Sequence, residues 1–472
     1  MMKHLTPAVA ILGLCAATAA PGAAQLTLAD ALRTADRAAY GNRVAAATAA
    51  AEAAHALSPL AGILPSVHVE AGYIRTTDPI GAFGATLRQR SVTQANFDPQ
   101  RLNYPRAIGN YQGGIVVEQP IFNADAWTGR RAAVRAADAS RASEQWTRLS
   151  TRVDVVRAYY GAVLAAERAR TLVSAARAAH AHVAQAGAMQ RQGLVTKSDV
   201  LLASVRAGDV DTQLAEAEGA ARTSLQQLAV LLGGDGGNAE PSLAPPALLP
   251  ATAQIVALAA ADTSDVAPAE RADVQAASRG LDAARADALR ARSAYLPRVN
   301  SFARYDWNSA DRLYTGDRNW TVGIMASWSV FAGAGDLADV EATRSHLASA
   351  QAQAEGARAQ ARLELQQSRT ALTVALTRLT FAEQGAAQSA EAHRIVGRKY
   401  EGGLATVVEL LDAQAVETQS ALALAQARWS AIVADAERRQ ALGLDPASLA
   451  LLDDNSRLAT DSSRSPTADH SR

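Results

Sequence analysis

RQGLVTKSDVLLA, residues 191–203, and EGGLATVVELLDA, residues 401–413, are two spellings of one pattern. Gly193-Leu194 aligns with Gly403-Leu404, Thr196 with Thr406, Asp199 with Glu409 and Leu201 with Leu411, at a constant offset of 210. The runs that follow end alike at the same offset, in Leu232-Gly233-Gly234-Asp235 and Leu442-Gly443-Leu444-Asp445. Gly193 and Gly402-Gly403 suit the left-handed position that closes a helix. Thr196 or Ser198, and Thr406, suit the cap that opens the next one. The chain therefore contains two helix-hairpin tips.

Outward from each tip the pattern is helical. No proline interrupts the tract from Ala126 to about Gln190, or the one from Asp336 to about Tyr400. Some 65 residues at about 1.5 Å each make a rod of roughly 100 Å, too long to bury in one compact domain. The apolar residues are mostly alanine and few are aromatic. Alanine is the best helix former and lets neighbouring helices approach closely, which fits long coiled-coil or tubular elements. Two further helical runs, Leu28 to Leu64 and Glu270 to Leu296, end at Leu64-Pro65 and Leu296-Pro297, where proline stops them. The Gly- and Pro-rich segment 233–269 cannot be one continuous helix. It separates a first repeat, 25–232, from a second, 270–445. The remaining residues, 446–472, are expected to be a polar, disordered tail.

After each Leu-Pro the period changes from helical to two, the signature of a strand with one apolar and one polar face. In the first repeat the strands are expected at about 65–77 and 109–121, in the second at about 297–308 and 318–331. Val67, Val69, Ala71 and Tyr73 oppose His68, Glu70 and Gly72; on the return, Tyr111, Ile115 and Val117 alternate with Gln112 and Glu118. Val299, Ala303, Tyr305 and Trp307 oppose Asn300, Arg304 and Asp306, while Trp320, Val322, Ile324, Ala326 and Trp328 alternate with Thr321, Gly323 and Ser327. The polar face could meet bulk solvent, with the apolar face packed on helices. It could equally line a water-filled barrel, and aromatics at the strand ends favour that reading.

Residues 1–24 read as an export signal: Lys3 and His4, an apolar run, then Gly22-Ala23-Ala24 before Gln25. The only cysteine, Cys15, lies in that run behind Leu14, where a lipoprotein would carry a small residue, so lipidation is not expected. Cleavage after Ala24 would leave no cysteine for disulfides or thiol catalysis. Positive and negative side chains balance to zero net charge, which argues against general nucleic-acid binding.

The duplicated tips, the two Leu-Pro breaks, the QPIFN (119–123) and SVFAG (329–333) returns and the long first hairpin loop together resemble the TolC-like outer-membrane efflux proteins. The likeness covers nearly the whole chain beyond residue 24. It implies a mainly α protein with a transmembrane β-barrel contribution, located in the outer membrane with a periplasmic extension. Three copies would build a twelve-stranded barrel continuous with a long α-helical tube. The implied function is the exit duct of a tripartite efflux or type I secretion system. Its implied partners are outer-membrane lipid, a periplasmic adaptor and, through that adaptor, an inner-membrane pump. Position by position, Ser198, Asp199 and Tyr400 match gate residues, and Glu409 and Asp412 match acidic rings. The stretches around Gly193, Leu194 and Thr196, and around Gly403, Leu404 and Thr406, match the adaptor-docking tip. Tyr73, Tyr111, Tyr305, Trp307, Trp320 and Trp328 are the candidate barrel anchors. One departure stands out: Ala405 occupies the place where some members carry a gate arginine.

The residues alone support the gate modestly. Glu409 and Asp412, three apart, share a helix face, yet acids near a helix N-terminus are also favoured by the helix dipole without any pore. His180 and His182, two apart on a helix, diverge, and His346 and His393 stand alone in the sequence, so no metal site is expected. GGDGG at 233–237 follows a helix and is not a phosphate loop. Neither a nucleophile nor a cleft partner accompanies the acids, so no enzyme and no cofactor are expected. The rival to the duct is a pore-free periplasmic or surface coiled-coil scaffold.

Overall fold

The structure, a computed structural model, describes residues 26–236, 248–261, 271–331 and 333–452; the expected signal peptide lies outside them. Each repeat runs helices, hairpin, long helical hairpin. The first comprises α1 (Leu28–Ala38), α2 (Tyr40–His55), β1 (Ser66–Thr76), α3 (Pro79–Arg88), α4 (Pro99–Asn103), β2 (Ile108–Phe122), α5 (Ala124–Arg191) and α6 (Lys197–Leu231). After α7 (Thr252–Ala261), the second comprises α8 (Ala272–Ser293), β3 (Arg298–Ser309), β4 (Asp317–Ser327), α9 (Gly335–Glu401) and α10 (Val407–Ala441). The rods α5 and α9 have 68 and 67 residues. Each folds back on its partner, α5 on α6 and α9 on α10, and α10 also lies against α5.

Two expectations need correcting, one in the first helical run and one in the tail. The first helical run is broken at Ala39, whose φ of −55° and ψ of 130° leave the helical region. The buried Asn42 side chain donates to the Ala35 carbonyl at 3.1 Å and holds the break. The connector contains α7, which buries Ile255 in the main core. The tail does not begin at 446: Pro446–Ala450 is a 3-10 turn capped by Asp445, and Leu449 and Leu452 are buried. In both segments aliphatic side chains near the junction outweigh the turn-forming residues around them.

The core lies where the repeats meet. Val156, Tyr159 and Tyr160 of α5 pack with Leu28 of α1, Leu228 of α6, Leu379 of α9 and Ile432 of α10. Two charged nodes cross-link it. Asp435 of α10, only 2% exposed, accepts from both Arg438 and Arg439, and Arg439 also donates to Ser448 and the Leu258 carbonyl. Arg271 lies over the Trp146 ring of α5 at 4.6 Å and pairs with Asp273 of α8 and Glu364 of α9 at 2.7 Å each.

The four strands form one antiparallel sheet in the order β1-β2-β3-β4, so β2 and β3 join the repeats and β1 and β4 are its edges. The registers put like with like: Tyr73 opposite Tyr111, Ile115 opposite Tyr305, and Tyr305 opposite Trp320. On the other face Glu70 lies opposite Gly114, Gly114 opposite Asp306, and Asp306 opposite Asn319.

Candidate functional site

The two tips are built alike, atom by atom. At the first, Gly193 has φ +77°, its N–H donates to the Gln190 carbonyl at 3.0 Å, and the Leu194 N–H donates to Met189 at 3.0 Å. At the second, Gly403 has φ +72°, and the Gly403 and Leu404 N–H groups donate to Tyr400 and Lys399 at 3.1 and 2.8 Å. Each pair of bonds is a Schellman closure, which requires a left-handed residue and so favours glycine. Leu194 and Leu404 project from the turns, exposed.

Thr196 and Thr406 then open the next helices with reciprocal capping boxes. The Asp199 carboxylate accepts from the Thr196 N–H and hydroxyl, both at 2.8 Å. Glu409 accepts from the Thr406 N–H at 2.7 Å and its hydroxyl at 3.1 Å. These bonds from the threonine backbone hold both carboxyls below the usual carboxylate range. A lowered carboxyl stabilises the folded tip fully at neutral pH and loses that contribution as the carboxyl protonates in acid. Thr196→Ala and Thr406→Ala should each loosen a tip by about 1 kcal/mol, seen as faster amide exchange confined to the first turns of α6 and α10. Exchange unchanged in both variants would show that the boxes do not hold the tips.

Ser198 shares a 2.7 Å hydroxyl contact with Thr196. Asp412 is exposed one turn beyond Glu409. Tyr400 differs from both: it is 3% exposed, and its hydroxyl is buried without a hydrogen-bond partner. Burial, then the charge of Asp199, pushes its phenol up. Asp199 and Tyr400, from different hairpins, are thus within electrostatic reach. Tyr400 packs with Ala203, Val407, Leu410 and Leu411, and Ala405 packs partly buried against this cluster.

At the far end of the rods the apolar face of the sheet is uncovered. Val69, Trp320 and Ile324 are 66, 74 and 72% exposed. Among the described residues these side chains stand open to the surroundings. Its aromatics gather at two levels. Tyr73 and Tyr111 lie 4.6 Å apart with their rings tilted at 40°, and Tyr305, Trp307 and Tyr314 meet edge to face, all toward the loop end. Trp328 stands at the helix end, its indole N–H on the Tyr295 carbonyl at 2.9 Å.

The opposite face carries an ion pair of Arg304 with Glu70 at 2.9 Å and with Asp306 at 2.8 Å. The loop after β1 folds toward it: Gln89, just past α3, donates to Asn110, and Asn110 donates to Asn308, both at 2.9 Å. Sequence reading missed this amide chain, since its members are far apart along the chain. It also missed a contact between His182 and His393, which does not stand alone in the folded chain. Among the described residues no three His, Asp or Glu side chains converge as a metal site, and no helix is long and apolar enough to cross a membrane.

A four-stranded sheet, apolar on its uncovered side, at one end of two long helical hairpins is the build of an outer-membrane channel subunit. The family model of the outer membrane efflux protein matches residues 38–234 and 264–444, and the chain belongs to that family. The fold is similar to the CmeC outer membrane channel of Campylobacter jejuni, with TM-score 0.76 and 16% identity, covering 93% of this chain and 89% of that one. It is likewise similar to the outer membrane protein VceC of Vibrio cholerae, with TM-score 0.73 and 19% identity over 88% and 96%. A membrane protein from Pseudomonas aeruginosa gives TM-score 0.73 and 20% identity over 88% and 90%. Among curated proteins nothing matches. The protein is an outer-membrane exit duct of the kind that serves tripartite efflux systems.

Proposed function

We propose that three copies close their sheets edge to edge into one twelve-stranded barrel, and that their rods continue it as a tube gated at the tips. The observation that carries this is the uncovered apolar face with aromatics at both ends. Trp320 and Trp328 are eight residues apart, which is about 21–27 Å depending on strand tilt, close to the roughly 25 Å apolar band of a membrane barrel. Lipid tolerates no unpaired sheet edge, and the two edges of a lone copy satisfy each other around a ring. The polar face with Glu70, Arg304 and Asp306 then lines the lumen. A pore-free scaffold would leave the apolar face without an occupant. Extraction from separated membranes in detergent should yield a heat-labile trimer in the outer-membrane fraction; a soluble monomer or dimer would overturn the reading.

At the tips, Tyr400 and the apolar cluster around it hold the hairpins together, with Asp199 and Ser198 at its edge. Glu409 and Asp412 from three chains place six carboxylates around the constriction, which favours cations. Glu409→Gln combined with Asp412→Asn should lower cation selectivity and relieve block by multivalent cations in planar bilayers. Ion permeation identical to that of the parent would sink the assignment. The grooves beside Gly193-Leu194 and Gly403-Leu404 receive the periplasmic adaptor, which links the duct to an inner-membrane pump.

A further inference from the structure

His182 of α5 and His393 of α9 meet edge to face, with ring centroids 6.3 Å apart and planes at 81°. They stand eleven and ten residues before the tip glycines Gly193 and Gly403, so each lies about 15 Å along its rod from the turn. The contact joins the two hairpins just above the tip cluster. Val183, next to His182, and Val396, three residues after His393, pack against the buried group of Tyr400, Val407, Leu410 and Leu411.

The pair is built asymmetrically. His393 Nδ1 is hydrogen-bonded to Glu417 of α10. His182 Nε2 is shut off from solvent and has no hydrogen-bond partner. Burial pushes the His182 imidazole down, and the charge of His393 pushes it further, while a hydrogen bond with Gln185 opposes both. The other charged groups at this level are already engaged. On α6, Asp211 is held by His180 at 3.0 Å and Asp209 is paired with Arg206 at 3.9 Å; on α9, Arg394 is paired with Glu391. Of all these, only His393 acts directly on His182.

We propose that the His182–His393 contact is a pH-sensitive latch between the hairpins, engaged at neutral pH and released on acidification, so that the tip cluster beneath it loosens. The inference rests on the gate reading above and adds a regulator to it. A proton on His182 would sit in a dry site facing a second imidazole, whereas a separated His182 would be hydrated. The separated arrangement therefore binds protons more readily. A lowered imidazole stabilises the packed arrangement fully above the ordinary histidine range, and that contribution is lost as pH falls through the range.

The test uses the mature trimer, whose sequence keeps no native cysteine once residues 1–24 are removed. Spin labels at Ala181→Cys and Ala390→Cys, diluted with unlabelled chains, report the spacing of α5 and α9 at about pH 7.5 and about pH 5.5, which bracket the histidine range. Bilayer conductance is read at the same two values. The spacing should lengthen and conductance rise in acid, the open population growing by at most about tenfold per pH unit for each proton taken up. Both responses should vanish in His182→Gln and weaken in His393→Gln. An unchanged spacing in the parent protein, or a shift that persists in His182→Gln, overturns the latch. A spacing that responds while conductance stays flat supports the latch and instead counts against the tips as the gate.

Discussion

Asp435→Ala should destabilise the folded chain by about 3–5 kcal/mol, the cost of removing one partner from a buried ionic node. Asp435 is the common acceptor for Arg438 and Arg439, and all three side chains are buried. Removing the carboxylate takes from two buried guanidinium groups the acceptor they share. Arg439 also reaches Ser448 and the Leu258 carbonyl, so the damage should spread to the 3-10 turn after α10 and to α7. Asp435→Asn, which keeps an acceptor but not the charge, should fall between the two. Denaturant unfolding of the detergent-solubilised protein measures the order. A midpoint for Asp435→Ala equal to the parent's would mean that water reaches the arginines and that the node contributes little.

Gly193→Glu and Gly403→Glu should each abolish export in cells while leaving the trimer in the outer membrane. Both glycines sit in the left-handed region, yet a Cβ at either position would meet nothing within 4 Å. The structural cost is therefore the backbone strain alone, about 1–2 kcal/mol, too little to unfold a large protein. A bulky charge would nevertheless project from the turn beside exposed Leu194 or Leu404, into the grooves assigned to the adaptor. Export assays paired with native mass separate the cases. Loss of the trimer would make the glycines structural, and export at parental rates would move the docking site elsewhere.

Much of this architecture was legible before any coordinates. The Leu-Pro positions mark the observed starts of β1 and β3, Ser66 and Arg298, although the helices end earlier, α2 at His55 with a 3-10 turn over Ser58–Gly62 and α8 at Ser293. The residue before a proline is held to extended backbone, which favours strand onset. The rods were legible because no proline interrupts either alanine-rich tract for more than sixty residues. The tips were legible because a left-handed turn and an N-cap each demand a short menu of residues. The break at Ala39 was not, since alanine is the strongest helix former and only the Asn42 bond to Ala35 betrays it. Nor was Tyr400 as a buried hydroxyl, or the Asp435 node, because both depend on which rod faces which. The histidine pair left a faint trace: His182 and His393 lie at nearly equal distances from equivalent glycines, a coincidence visible only once the repeats are aligned on their tips.

The strand order has a kinetic consequence as well. β1 and β4 are the two ends of an open sheet, and in the proposed barrel each edge is satisfied by the opposite edge of a neighbouring copy. In that arrangement copies join head to tail, β1 of one to β4 of the next, and only a closed ring ends the process. An isolated copy bearing an apolar outer face and two raw edges has no stable resting place in lipid. The proposed barrel thus couples membrane insertion to subunit association as one event. The rate at which ducts appear should rise more steeply than linearly with the amount of chain supplied, and a partner-deficient variant should be lost to degradation rather than accumulate as a smaller pore.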